Sequence, residues 1–369
     1  MISKVPFVEP SRIYHKLKEK LDSAYFDVMS KGDLIDRGQL KSFESNLATF
    51  VGTKYAVGLN SGYDALHLSL RALNISYGDE VIVPAHTFVA TCSAVVNVGA
   101  TPVLVDVASD FNIDVDKIEE VISDRTKAII PVHLSGWMAD MPKILKIAEK
   151  YNLNVVEDAC QSLGSGINGI GAGAWGNTGC FSFYPFKILG GYGDGGAITT
   201  NDESIAIFAR RMRYNGEDRE SGEYFGHGYT CLLDNLQAAF LNIKLDYLPE
   251  SIKRRKYIAS CYKDALSEFP DLVLPHYNRG GFDHVYQNYT LRSQQGSEFS
   301  EYLKNNGVEV LTQFRKPYYK HEALNLIDRG FPETEALSRE VCSLPMSIEL
   351  TDEEIEYVID TVRSFYKKH

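Results

Sequence analysis

The chain has 369 residues, 44% of them hydrophobic and 24% charged, with a formal net charge of −11. This is ordinary composition for a soluble globular protein, and the acidic balance without a long basic block argues against a nucleic-acid partner, because phosphate binding relies on clustered Lys and Arg. No apolar run approaches the ~18–20 residues needed to cross a bilayer, and residues 1–6 lack the apolar core of a signal peptide. Cys92, Cys160, Cys180, Cys231, Cys261 and Cys342 are scattered, with no CxxC pair and no His at ligand spacing. A cytoplasmic protein without structural zinc is expected.

The length exceeds a typical single domain, so two domains are expected. Tyr14, Leu17, Leu21, Tyr25 and Val28 form a stripe that predicts an opening helix, and a second helix is predicted over 40–50. Short apolar runs then alternate with helical segments. Strands are predicted over 56–59, 81–83, 103–105, 128–132 and 154–158. Helices are predicted between them, over 65–73 after Ser61-Gly62, over 90–98 and over 141–150. Strands without alternation, separated by helices of about ten residues, predict a mostly parallel sheet in an open doubly wound α/β domain. Such sheets bind ligands at the carboxyl ends of their strands, and Asp158 stands at one. From Asn201 the pattern is helical again, with a periodic stretch over 232–248 and another helix over 252–269. A strand over 285–291 and helices over 298–305 and 352–366 predict a smaller α+β domain at 250–369, leaving 1–249 as the large domain.

The chemistry-bearing motifs lie along the large domain. In Cys180-Phe181-Ser182-Phe183-Tyr184-Pro185-Phe186-Lys187, followed by Gly190-Gly191-Tyr192-Gly193-Asp194-Gly195-Gly196, a lysine stands between aromatic residues and a flexible loop. Desolvation there favours the neutral amine that attacks a carbonyl. Asp158, in Val155-Val156-Glu157-Asp158-Ala159-Cys160-Gln161, can hold a pyridinium N–H and keep a cofactor ring an electron sink. In Asn60-Ser61-Gly62-Tyr63-Asp64, the N–H groups of Gly62 and Tyr63 open a helix and form an anion site suited to phosphate. Phe88, in Pro84-Ala85-His86-Thr87-Phe88-Val89, can lie flat on an aromatic ring. Taken singly, each has an ordinary reading: a loop cation, a helix cap, an N-cap by Ser61, a core phenylalanine. His133, in His133-Leu134-Ser135-Gly136, reads as a packed, hydrogen-bonded histidine.

In order and spacing these motifs resemble the DegT/DnrJ/EryC1/StrS family of sugar aminotransferases, which depend on pyridoxal 5′-phosphate (PLP). The resemblance runs from Phe43-Glu44 and Tyr55-Ala56-Val57-Gly58 to Phe331-Pro332-Glu333-Thr334-Glu335 and Ser343-Leu344-Pro345-Met346. It is most specific at Glu157-Asp158-Ala159 with Gln161, at Phe181-Ser182-Phe183-Tyr184-Pro185 with Lys187, and at Gly193-Asp194-Gly195-Gly196-Ala197. It implies the aspartate aminotransferase-like (type I) PLP fold, with a large, mostly parallel-sheet domain and a smaller C-terminal α+β domain. By resemblance, Lys187 is the Schiff-base lysine and proton carrier, and Asp158 faces the pyridine nitrogen. Gln161 lies near the phenolic oxygen, Phe88 stacks on the ring, and Ser182 joins Gly62 and Tyr63 in the phosphate cradle. Pyridoxamine 5′-phosphate is the implied intermediate form, and a homodimer with shared active sites the implied assembly.

Two departures stand out. Tyr63 occupies the place of a usual Thr. In Gly228-Tyr229-Thr230-Cys231-Leu232-Leu233-Asp234, Thr230 replaces an Asn that reaches phosphate in the partner's site, and Leu232 replaces an Arg that helps hold anionic substrate. Thr230 keeps a hydrogen-bonding group for the cofactor, whereas Leu232 cannot contact an anion. The clamp is then expected from Arg213, Arg219 or Arg315, with Tyr184 and Tyr318 as further substrate contacts. The expected reaction moves an amino group from an amino acid, glutamate first, to a nucleotide-linked keto-sugar for aminosugar and surface-polysaccharide synthesis. A cyclitol or free keto-sugar is the alternative, and a non-catalytic PLP-fold binding protein a remoter one.

Overall fold

The computed structural model describes residues 4–275 and 279–367; residues 1–3 of the N-terminal segment read above lie outside the described residues. Its centre is a seven-stranded sheet: β1 (Tyr55–Leu59), β2 (Glu80–Pro84), β3 (Thr101–Val105), β4 (Thr126–Ile129), β5 (Asn154–Asp158), β6 (Thr178–Ser182) and β7 (Gly196–Thr200). The order across the sheet is β1-β7-β6-β5-β4-β2-β3, and β7 alone runs against its neighbours.

Successive strand residues enter different cores. Ala56, Ile82, Val103, Ile129, Val155, Phe181 and Ala197 face one layer, and Val57, Val81, Leu104, Ala128, Val156, Cys180 and Ile198 the other. Both faces are therefore dry, which explains the absence of polar alternation in the sequence. Helices α2 (Gly38–Val51), α5 (Met141–Tyr151) and α7 (Asn235–Leu266) cover the first face. Helices α3 (Gly62–Ala72), α4 (Val89–Asn97) and α6 (Glu203–Met212) cover the second. Helix α1 (Pro10–Lys31) packs along α7.

The smaller body is an antiparallel sheet, β8 (Leu272–Val273), β9 (Tyr289–Ser293) and β10 (Val341–Leu344), in that order. Helices α8 (Gly296–Asn305), α9 (Pro332–Glu340) and α10 (Asp352–Tyr366) pack with it. Val5 joins this core and pairs with Val308, so the N-terminal segment is sewn to the C-terminal body.

Two expectations are corrected. The helices predicted over 232–248 and 252–269 are one helix of 32 residues, α7, with Pro249 inside it. A proline in a helix costs about 3 kcal/mol. Leu241, Leu245 and Leu248 buried in the large core, with Ile258, Tyr262 and Leu266 in the small one, offset that cost. The strand predicted over 285–291 begins only at Tyr289, because Tyr286 adopts φ 53° and the N–H groups of Val285 and Asn288 bond instead to Gly136 and Ser135. Strands β6, β7, β8 and β10 were not anticipated from sequence.

Candidate active site

Asp158 ends β5 with its carboxylate already oriented. Oδ2 accepts a 2.8 Å hydrogen bond from the Thr91 hydroxyl in the first turn of α4, and Oδ1 accepts from Cys160 N at 3.3 Å. Thr91 Oγ1 lies 2.9 Å from Thr87 Oγ1, so with its own proton on Asp158 it accepts from Thr87. Phe88, the N-cap residue of α4, lies between Thr87 and Thr91 in the chain with 59% of its surface exposed. An exposed aromatic ring on the segment that orients the Asp158 carboxylate suits a flat heteroaromatic ring.

The N-terminus of α3 provides the second part. Ser61 caps the helix by accepting from Asp64 N at 3.0 Å, as its ordinary reading requires. Gly62 is there for space as well: a Cβ would lie 2.6 Å from Cys160 Sγ and 2.8 Å from Ser182 Cβ. The end of β6 is thus pressed against a helix terminus whose first N–H groups have no intrahelical acceptor, an arrangement suited to an anion. The Tyr63 side chain is engaged elsewhere. Its ring stacks on His67, with centroids 6.0 Å apart, and its hydroxyl accepts from Asn97 Nδ2 at 2.6 Å.

Lys187 lies in the loop between β6 and β7, in a turn closed by Lys187 N donating to Tyr184 O at 2.8 Å. Lys187 and Asp158 both stand near enough to the Cys160 thiol for it to feel the charge of each. Burial first, then the Asp158 charge, holds that thiol well above its ordinary range, and the Lys187 charge opposes the shift. The Cys160 thiol lies 3.6 Å from Cys180 O, and its surroundings favour the thiol over the thiolate. Gln161 Oε1 accepts from Ser135 N at 2.8 Å. His133 is packed, as expected: its Nδ1 accepts from Ala139 N at 3.2 Å, so Nε2 donates to Glu157 at 2.9 Å. Glu157 also accepts from the N–H groups of Gly173, Trp175 and Gly176.

The remaining sequence candidates are spread more widely. Arg213 is buried, with Nη1 donating to Glu44 and, at 2.9 Å, to Gly58 O. Arg219 pairs with Asp36 at 2.7 Å. Arg315 is exposed and donates to Ser300 at 2.5 Å. Tyr318 is buried and its hydroxyl donates to Pro84 O at 3.0 Å. Tyr184 is 47% exposed, edge-on to Phe186. Thr230 is exposed and donates to Asn215 at 3.0 Å, while Leu232 is bridged to Leu59. Thr87 and Thr91 were not foreseen; Thr87 precedes the N-cap of α4 and Thr91 lies in its first turn, and only the folded entry to the helix brings their hydroxyls together.

Fold and site together define a PLP-dependent aminotransferase of the aspartate aminotransferase-like class. Residues 15–363 match the DegT/DnrJ/EryC1/StrS aminotransferase family, and the chain belongs to it. The dTDP-3-amino-3,6-dideoxy-alpha-D-galactopyranose transaminase of Aneurinibacillus thermoaerophilus is 39% identical over 363 residues, 98% of this chain and 99% of that one. A "pleiotropic regulatory protein" of Geobacillus stearothermophilus is 36% identical over 370 residues, covering 98% and 99%. The crystal structure of S. venezuelae DesV in complex with a ketimine intermediate superposes with a TM-score of 0.95 at 37% identity, over 98% of both chains. The cofactor is pyridoxal 5′-phosphate, with pyridoxamine 5′-phosphate as its aminated form.

Proposed function

We propose that this aminotransferase takes the amino group of an amino acid, glutamate first, and transfers it to the ketone of a nucleotide-linked sugar. The observation that carries the reading is the grouping of the α3 terminus, Ser182, the fixed Asp158 carboxylate, the bare Phe88 ring and Lys187. Relatives named as nucleotide-sugar transaminases, similar over nearly the whole chain, support the substrate class.

When bound, PLP supplies an electron sink for the charge left on a carbon that loses its proton. The N–H groups of Gly62 and Tyr63 and the Ser182 hydroxyl hold the phosphate, and Phe88 packs on the ring face. Asp158 keeps a proton on the pyridine nitrogen, its own orientation fixed by Thr91 and Cys160 N. Gln161 stands by the phenolic oxygen. Lys187 holds the cofactor between turnovers and moves the proton at the substrate carbon through Nζ, its short tether replacing a diffusing base. Tyr184 and Arg315 are exposed and placed in this reading on the substrate's path, whereas Arg213 and Tyr318, with Glu44 and Pro84 O as partners, support the surrounding frame. Thr230 serves the neighbouring site of a homodimer. No helix among the described residues is long and apolar enough to cross a membrane. The enzyme is assigned to the cytoplasm and to aminosugar supply for surface polysaccharide, including lipopolysaccharide.

Leu232 favours a second reading, in which the acceptor is an uncharged cyclitol or free keto-sugar that needs no cation at that position.

The test is an absorbance spectrum of the protein with PLP, before and after glutamate. The reading expects a visible band from cofactor joined to Lys187, lost on adding glutamate and restored by the accepted keto-sugar. A band that no amino donor moves would overturn it.

A further inference from the structure

The backbone that carries Lys187 is held from outside the cofactor site. Gln287, 7% exposed, precedes β9 in the smaller body and turns its carboxamide onto both chain neighbours of the lysine. Oε1 accepts from Ile188 N at 2.5 Å, and Nε2 donates to Phe186 O at 2.9 Å. The partners fix which end is which, since an N–H can only donate and a carbonyl only accept. Gln287 is itself held. Arg255 of α7 donates Nη1 to Tyr286 O at 3.0 Å and to Gln287 O at 3.2 Å. Gly136 leaves room for that backbone, because a Cβ there would lie 2.8 Å from Gln287 N. Farther along the same loop, Lys244 donates to Gly190 O and Gln237 accepts from Tyr192 N at 2.9 Å.

We infer that Gln287 is a positioning residue for the transfer reaction: its carboxamide brackets residues 186 and 188 and so sets where the Lys187 amine stands. No other uncharged side chain of this length offers an acceptor and a donor side by side. The bracket also joins two bodies, since Gln287 leads into the small sheet and Lys187 belongs to the large one. The inference rests on Lys187 carrying the cofactor and moving the proton.

The test uses the holoenzyme with Gln287→Met, which keeps the length and removes both hydrogen bonds. A misplacement near 1 Å at a reacting group costs about 100-fold in rate, so kcat should fall by about 10- to 100-fold with KM held within about 3-fold. The isotope effect from an amino donor deuterated at its α-carbon should rise, because proton movement by Lys187 becomes slower; a purely structural role would leave it unchanged. Gln287→Glu keeps the acceptor for Ile188 N and regains a donor toward Phe186 O when protonated, so its activity relative to wild type should recover as pH falls. A kcat within about 2-fold of wild type in both variants, alongside an inactive Lys187→Ala, would overturn the inference alone. Full activity in Lys187→Ala would instead remove the reading on which it stands.

Discussion

Thr91 donates to Asp158 across 2.8 Å, from the first turn of α4 to the end of β5, and joins two neighbouring layers of the fold at the carboxyl end of that strand. The bond fixes the carboxylate before any ring arrives, so the orientation is not left to be paid for in binding entropy.

Thr91→Val keeps the shape and removes that donor. A hydrogen bond to a charged group contributes about 1.5–3 kcal/mol, so cofactor affinity should fall by about 10-fold or more. Thr91→Ser should stay close to wild type. Equilibrium titration of the apoenzyme with PLP checks this, and equal affinity in Thr91→Val would show that Asp158 needs no such support.

Replacing Lys187 by Ala should remove turnover by about 1,000-fold or more while PLP still binds through the cradle and Asp158. The measurements are steady-state turnover and PLP retention after desalting. Retained turnover would exclude Lys187 as the proton carrier.

Much of this was legible in the sequence, for physical reasons. Strands buried on both faces show as unbroken apolar runs, and β5 was readable to its last residue, Asp158. The capped end of α3 was readable from Ser61-Gly62. What stayed hidden depends on partners far away in the chain. Arg213 is separated by 169 residues from Glu44, and Gln287 by 101 from Phe186, so no local pattern reports either contact. The continuity of α7 was hidden for another reason: Pro249 signals a break locally, and only burial on both sides of it overrides the signal.

Arg213 separates a frame residue from a substrate contact. It forms a buried ion pair with Glu44, whose Oε1 also accepts from Gly58 N at 2.8 Å. Removing one member of a buried pair strands the other and costs about 3–5 kcal/mol. Arg213→Met should therefore lower the free energy of urea unfolding by about that amount. An unchanged unfolding free energy with a raised KM for the keto-substrate would assign Arg213 to substrate binding instead.

His86 makes stability depend on pH. It is 3% exposed, its ring stands edge-on to Phe314 at 5.2 Å, and burial pushes it down from 6.5 to about 4, with Asp106 opposing and Arg292 adding to the shift. The folded chain thus keeps His86 neutral where the unfolded chain has already bound a proton. Stability from this group is fully present above about 6.5 and is lost as pH falls toward about 4; linkage puts the loss on the order of 3 kcal/mol. His86→Gln removes the titration. Urea unfolding of both proteins across that window should give a shallower slope of stability against pH for the variant. Parallel slopes would mean that His86 takes up its proton in the folded state as readily as in the unfolded one, and that the acid sensitivity of the fold lies with its carboxylates.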